Sequence, residues 1–320
     1  MRNNPSIHVA PMVGVTTEHF NKLIRLISDK AVLYSEMTST NSIRFGNALQ
    51  RVNCVYDKQI IQLAGNNPNE LGYCAEVAER FGYAGVNLNV GCPSNKIKKA
   101  NYGAVLFKYP ALVAECVHVM KNKCKIPISV KTRIGVDEVD NYLYLKNFVK
   151  MLLDVGCDEI VIHARKAYLK GLSPKANRNI PPLKYEIVSQ LITDFPKAKF
   201  CLNGGINEIS QVKKLLKDHN CLMLGRAIEK NPLILREIDS HIYGSPLNNL
   251  TRFEIFNSYS KYALAKKGSV SHIMLLKPLL GLYFNTRIAK QWNNEVVRCF
   301  NKKANFDLQR LQSLASDEGI

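Results

Sequence analysis

Eight short runs of apolar and β-branched residues recur along the chain, at 7–10, 32–36, 60–63, 85–89, 128–131, 159–163, 199–203 and 221–224. Runs this short and this apolar are what strands buried on both faces require. Between them lie stretches with helical spacing, at 17–28, 68–81, 112–123, 141–155, 185–194 and 209–218. The first starts at Thr16 or Thr17, either of which can cap it, and places Phe20, Leu23, Ile24 and Ile27 on one face. Eight alternations over about 225 residues predict a (β/α)8 TIM barrel. A doubly wound open sheet is the competing architecture. It would normally carry Gly-x-Gly-x-x-Gly after the first strand, whereas this chain has Ala10-Pro11-Met12-Val13-Gly14 there.

The alternation stops near Gly244. From Asn248 onward only helical periodicity remains. The expected division is a catalytic barrel over 1–244 and a small all-helical domain over 245–320. The helical part carries Lys261, Lys266, Lys267, Lys277, Arg287, Lys290, Arg298, Lys302, Lys303 and Arg310 with few acidic residues, and the whole chain has a net charge of +18. Such a surface suits a polyanion, because each neutralised phosphate releases condensed counterions. Solvated lysines are the alternative for any single position. The most apolar stretch, 273–284, is interrupted by Lys277 and Pro278 and is too short to span a bilayer. The opening residues lack an apolar signal core. A cytoplasmic, membrane-free protein acting as a monomer is expected. The nine cysteines are scattered, with no Cys-x-x-Cys and no zinc spacing, so neither a disulfide framework nor a metal is expected.

Polar residues gather where the strands end, which is where a barrel builds its active site. Gln62, Asn89, Cys92, Lys131, Arg133, His163, Arg165, Asn203 and Arg226 all stand at or just past a predicted strand end. Lysine at the end of a buried strand demands a partner, because a desolvated ammonium is costly. The last two turns, Asn203-Gly204-Gly205 and Gly225-Arg226, suit a phosphate. Glycines let backbone N–H groups approach an anion, helix N-termini follow, and Arg226 supplies a fork of donors. A flavin mononucleotide (FMN) fits the remaining positions. Its phosphate would lie at strands 7 and 8, with Lys131 and His163 stabilising a reduced ring, Gln62 bonding its amide edge, and Pro11, Met12 and Val13 flanking it.

Several segments, in order along nearly the whole chain, resemble the tRNA-dihydrouridine synthases. They are Ala10-Pro11-Met12 with Gly14 and Thr16, Gln62-Leu63-Ala64-Gly65, Asn87-Leu88-Asn89-Val90-Gly91-Cys92-Pro93-Ser94, Val130-Lys131, Ile162-His163-Ala164-Arg165, Asn203-Gly204-Gly205-Ile206 and Leu224-Gly225-Arg226. The stretch from His163 through Lys175 to Leu183 is similar to the A-type subfamily. The resemblance implies an FMN barrel, a helical RNA-binding domain, NADPH as reductant, and reduction of uridines 20 and 20a of tRNA. Two positions depart from the family pattern. Val105 stands where a second cysteine is usual, and Ala100 where glycine is frequent.

Reducing the uracil C5–C6 bond needs a hydride at C6 and a proton at C5. Cys92 is the expected proton donor, since an ordinary thiol is mostly protonated at neutral pH. Asn89, Arg133 and Arg165 are candidates for orienting the base. Lys175, Arg178, Arg287 and Lys290 are candidates for holding tRNA. Nearby cations would lower the thiol pKa and weaken the acid, so the loop is expected to keep Cys92 away from the Lys131 charge. Two other functions compete: a flavin barrel reducing a free pyrimidine, and a non-catalytic tRNA-binding protein. The basic tail argues against the first, and Cys92, Lys131 and His163 together argue against the second.

Overall fold

The computed structural model describes residues 5–46, 48–49, 56–245, 250–300 and 308–316. Eight parallel strands form one sheet: β1 (Ser6–Val9), β2 (Leu33–Ser39), β3 (Gln59–Ala64), β4 (Gly85–Val90), β5 (Ile128–Arg133), β6 (Glu159–His163), β7 (Phe200–Asn203) and β8 (Cys221–Leu224). Their order is β1-β8-β7-β6-β5-β4-β3-β2. The remaining seam closes through the parallel bridge His8–Val32, where Val9 N–H donates to Val32 O and Val32 N–H to Ile7 O, both at 2.9 Å. The sheet is therefore a TIM barrel, as the alternation predicts.

Residue alternation sorts the strand side chains into two populations. Ile7, Val9, Leu33, Ile61, Leu63, Val86, Leu88, Ile128, Val130, Ile160, Ile162, Leu202, Leu222 and Leu224 belong to the large core shared with the surrounding helices. The intervening positions fill the barrel. Ala10, Tyr34, Val161, Cys201, Cys221 and Met223 form a separate small cluster there. Gln62, Asn87, Asn89, Ser129 and Lys131 bond to one another or to Asn203. The strands are thus apolar toward the helices and substantially polar toward the barrel axis. This differs from the uniformly apolar burial expected of them.

The first helix begins at a cap the sequence offers, and two others begin at asparagine caps. Thr17 accepts from Phe20 N–H and starts Glu18–Ile27; Asn67 caps Pro68–Arg80; Asn141 caps Tyr142–Asp154. Thr16 does something else: its hydroxyl accepts from Met12 N–H at 3.0 Å and braces the turn after β1. Helix Ile234–Tyr243 completes the ring and ends at Gly244, whose φ of 60° is the left-handed terminating conformation.

Beyond it, Arg252–Ala265 opens with a complete capping box between Thr251 and Glu254. His272–Leu276, Ala289–Arg298 and Gln309–Ser316 follow. Their core surrounds the single tryptophan. Trp292 meets Phe256 edge-on at 5.2 Å and Tyr283 at 4.2 Å, and donates to Leu279 O at 2.8 Å. These helices dock tightly on the barrel. A Cβ at Gly281 would lie 2.6 Å from Glu229 O. His19 Nδ1 and the Tyr262 hydroxyl are 2.8 Å apart, and Lys277 donates to Gly14 O at 2.5 Å. Among the described residues, no helix is long and apolar enough to cross a membrane.

Candidate active site

The C-terminal rim of the barrel assembles the residues that the sequence placed at strand ends. Asn89, on β4, is its organiser. Its Oδ1 accepts from Gly91 N–H at 3.1 Å and Cys92 N–H at 2.9 Å, while its Nδ2 donates to Gln62 Oε1 at 2.8 Å. Gln62 in turn donates to Asn87, and Asn87 to Ser129. A buried amide chain thus anchors the Gly91-Cys92-Pro93 turn to three strands. The far side of the turn is held by Ala104 N–H, which donates to Cys92 O at 2.9 Å. Gly103 permits that approach: its φ is +65°, and an added Cβ would lie 2.5 Å from Cys92 O. Sequence reasoning gave Asn87, Ser129 and Gly103 no role in the site. A run of polar residues on the inward parity of consecutive strands is the signal that would have found the first two.

Cys92 is half-buried, whereas the seven other described cysteines are buried. Around the mouth stand Lys131, Arg133, His163, Arg165, Arg178 and Arg226. Among the described residues none of the six makes an ion pair. Arg133 is 4% exposed; its Nε donates to Gly91 O and its Nη1 to Asn177 O at 3.0 Å. Asn177, fully buried, bonds Tyr168 both ways and also Leu172 and Ser173, so it shapes the loop after β6. Lys98 ties the two loops together by donating to Leu169 O at 2.8 Å. Arg165 donates to Pro181 O, and its buried Nε has no hydrogen-bond partner among the described residues.

Crowded cations in a desolvated site depress one another's proton affinity. Burial, then Arg133, pushes Lys131 down to about 7. Burial, then Arg133, Lys131, Arg165 and Arg226, holds His163 well below its ordinary value, so its imidazole is neutral. The fold thus lowers the charge carried by Lys131 at neutral pH.

The residues present fit a flavin mononucleotide. Lys131 donates to Asn203 Oδ1 at 2.9 Å and has two further N–H groups for an anion. Gln62 Nε2 spends one N–H on Asn87 and keeps the other. Gly204 and Gly205 have φ of +119° and +71°, and added Cβ atoms would meet His163 Cδ2 at 2.5 Å and Leu183 Cδ1 at 2.4 Å. Only glycine passes there. A Cβ at Gly225 would touch Met12 Sδ at 3.4 Å, so the last turn lies against the Pro11-Met12 segment. Val13 is 67% exposed. Arg226 donates to Asn179 Oδ1 at 2.6 Å and to Arg178 O at 3.2 Å. The helices after these turns, Ile209–Leu215 and Arg226–Lys230, have seven and five residues. Their dipoles are correspondingly small, and Arg226 is the main positive charge at this end.

The family described as Dihydrouridine synthase matches residues 8–318. The chain belongs to the dihydrouridine synthase family. It is an oxidoreductase of that class. A Shewanella oneidensis protein named tRNA-dihydrouridine(20/20a) synthase is 40% identical over 288 residues, 89% of this chain and 85% of that one. A Vibrio cholerae protein of the same name is 37% identical over 299 residues, 92% of this chain and 91% of that one. Among solved structures, a complex of 2-naphthoyl-CoA reductase with 2-naphthoyl-CoA superposes with a TM-score of 0.58 at 10% identity. That match covers 73% of this chain and 50% of the reductase, and it speaks to the fold alone.

The basic residues of this dihydrouridine synthase family member divide by environment. Lys175, Arg178, Arg287 and Lys290 are exposed. Arg298 is paired with Glu295, and Lys277 is committed to Gly14. Lys302 and Lys303 lie outside the described residues.

Proposed function

We propose that the chain reduces the C5–C6 bond of uridine in the D-loop of tRNA, at positions 20 and 20a, with FMN as cofactor, NADPH as reductant and Cys92 as proton donor. The observation that carries this reading is the Cys92 turn, pinned by Asn89, Ala104 and Arg133 at the lip of a mouth lined with cations. The names and identity of the relatives support the substrate class and the two positions.

When bound and reduced, FMN supplies the hydride for C6 of the uracil. The protein's share is positioning and proton supply. Gly204, Gly205, Gly225 and Arg226 would hold the phosphate, and Lys131, His163 and Gln62 the pyrimidine edge of the ring. Pro11, Met12 and Val13 would border it. Lys131 binds a proton more firmly when an anion lies beside it, so its depressed pKa rises as the cofactor gains negative charge. The neutral His163 donates a hydrogen bond without adding a full charge next to the thiol. Cys92 delivers its proton to C5, and its turn needs no movement because the amide chain from Ser129 to Asn89 already fixes it. Asn89, with its Oδ1 committed to the Cys92 turn and its Nδ2 to Gln62, acts by positioning the thiol. Arg133 and Arg165 border the base-binding space.

A D-loop uridine reaches the mouth only after leaving its stack. We assign 1–244 to catalysis and 245–320 to tRNA binding, with Lys175, Arg178, Arg287 and Lys290 on phosphates. The protein would act as a monomer in the cytoplasm. The deciding experiment is to measure dihydrouridine in tRNA incubated with the wild type and with Cys92→Ala. The variant should keep its flavin and lose about 10²–10⁴-fold in rate, the usual worth of a general acid. Full activity in Cys92→Ala would sink the proton-donor assignment.

A further inference from the structure

The floor of the barrel, at the opposite end from Cys92, holds a second constellation that the reaction does not use. His8 of β1, Glu159 of β6, Cys201 of β7 and Cys221 of β8 each offer one ligand atom, and these atoms all lie within 4.8 Å of one another. His8, Cys201 and Cys221 are buried; Glu159 has 21% of its side chain open to solvent, which provides a way in. We propose that this cluster is a tetrahedral binding site for a borderline-soft divalent cation, Zn²⁺ in particular.

Four observations carry the assignment. The donor set is two thiols, an imidazole and a carboxylate, the mixture of sulfur, nitrogen and oxygen that zinc takes at four-coordinate sites. A hard cation such as Mg²⁺ or Ca²⁺ would need oxygens that this pocket lacks. Cys201 and Cys221 are direct neighbours across the β7–β8 pair, because Leu202 pairs with Leu222 and Asn203 with Met223. Their sulfurs project to the same side, as two ligands must.

The imidazole is already oriented. His8 Nε2 lies 3.0 Å from Ser6 Oγ, which places the second nitrogen, Nδ1, 3.7 Å from Glu159 Oε1. A metal-binding histidine commonly uses its other nitrogen in this way, and the outer hydrogen bond fixes the ring. Finally, Glu159 Oε1 is buried with no hydrogen-bond partner among the described residues. Of these, only the His8 ring meets its charge, at 3.7 Å, too far for a hydrogen bond, and a cation placed between the two would bond both directly. Burial lowers the proton affinity of His8, but Cys221 and Glu159 beside it raise its pKa to about 9, so the ring is protonated at neutral pH. Coordination therefore forms bonds to Nδ1, Oε1 and both sulfurs, releases both thiol protons and the Nδ1 proton to solvent, and turns the Tyr34 hydroxyl away from Nδ1, from which it is now 3.2 Å distant. The four ligands come from positions 8, 159, 201 and 221, so no spacing rule for zinc motifs detects them.

The test uses the full-length holoenzyme, stripped with a chelator and reloaded with Zn²⁺ or Co²⁺. The wild type should retain one zinc per chain through gel filtration. With Co²⁺ it should show a thiolate-to-cobalt charge-transfer band and the strong visible bands of tetrahedral coordination. A Cys201→Ala, Cys221→Ala double variant should lose both signals while keeping flavin and tRNA-reducing activity. Because removing two core sulfurs can disturb folding, Ser6→Ala serves as the second variant. It leaves every ligand in place and should weaken zinc roughly 10–100-fold through loss of the outer hydrogen bond. Zinc should raise the wild-type melting temperature and leave that of the double variant unchanged. Absence of stoichiometric zinc in the wild type, undiminished zinc in the folded double variant, or a Cys201–Cys221 disulfide found by non-reducing peptide mapping would each overturn the site.

Discussion

The two ends of the barrel interior are built from the same alternation of residues and have opposite chemistry. At the mouth, Lys131, Arg133 and His163 stand together with Arg165 and Arg226, with no carboxylate paired to them among the described residues. At the floor, a carboxylate, an imidazole and two thiols face one another. Ala10, Tyr34, Val161 and Met223 pack with Cys201 and Cys221 in one small cluster inside the barrel. The mouth is a cationic site that lacks an anion, and the floor is a donor set that suits a cation. Charge imbalance marks the mouth as a place for an anion, and the mixture of sulfur, nitrogen and oxygen donors marks the floor.

The largest effect that separates the two ends is expected from Gly204→Ala. Its Cβ would collide with His163 Cδ2 and require a φ of +119°. Flavin content should fall to near zero, and the strain should cost about 1–3 kcal/mol in urea unfolding. Zinc binding at the floor should be untouched; joint loss of both would mean that the ends are not independent. Next comes Asn89→Ala, which frees the Cys92 turn at the rim. Turnover should drop on the order of 100-fold, because a small misplacement of a reacting group is that costly, while bound flavin stays near wild type. Equal loss of flavin and turnover would make Asn89 part of the cofactor site.

The third concerns pH. Lys131 is lowered from 10.5 to about 7 in the folded protein. Below about 7 the ammonium is charged in both folded and unfolded chains, and the folded state bears the full cost of burying it. Between about 7 and 10.5 the unfolded chain binds more protons, so the lysine's contribution to stability should rise with pH across that window. His8, raised to about 9, acts in the opposite sense up to that pH. The lysine is therefore read from the difference between wild type and Lys131→Met: in flavin-free protein the wild-type denaturant midpoint should gain on the variant's between about pH 7 and 10.5. A difference that moves the other way contradicts the depressed lysine. The smallest effect is expected outside the barrel. Arg287→Ala with Lys290→Ala should weaken tRNA binding by roughly tenfold and lower the salt slope by about two, leaving turnover at saturating tRNA unchanged.

Much of this was legible in the sequence because barrels are made of local signals. The eight runs and their spacing located every strand to within a few residues, and Thr17 began its helix as a cap does. The rim residues were legible because polar groups at the ends of apolar runs stand out. What stayed hidden depends on tertiary register. Asn87 and Ser129 look like incidental polar residues until the strands pair and their amides join Gln62 and Asn89. Asn177 sits in a loop full of lysines, where nothing local announces that it will be fully buried. The four floor residues are separated by as many as 213 positions, from His8 to Cys221, and only barrel closure brings them together. Part of the basic surface also proved structural, since Lys277 and Arg298 serve the fold.

Arg133 grips Gly91 O on one loop and Asn177 O on another, and Lys98 adds a second tie between them. The two loops are consequently one exchangeable part. A chimera that imports the segment around Cys92 from a relative, without its matching 168–178 segment, would break the shared clasp. The pair has to be transplanted together, along with the arginine beneath it.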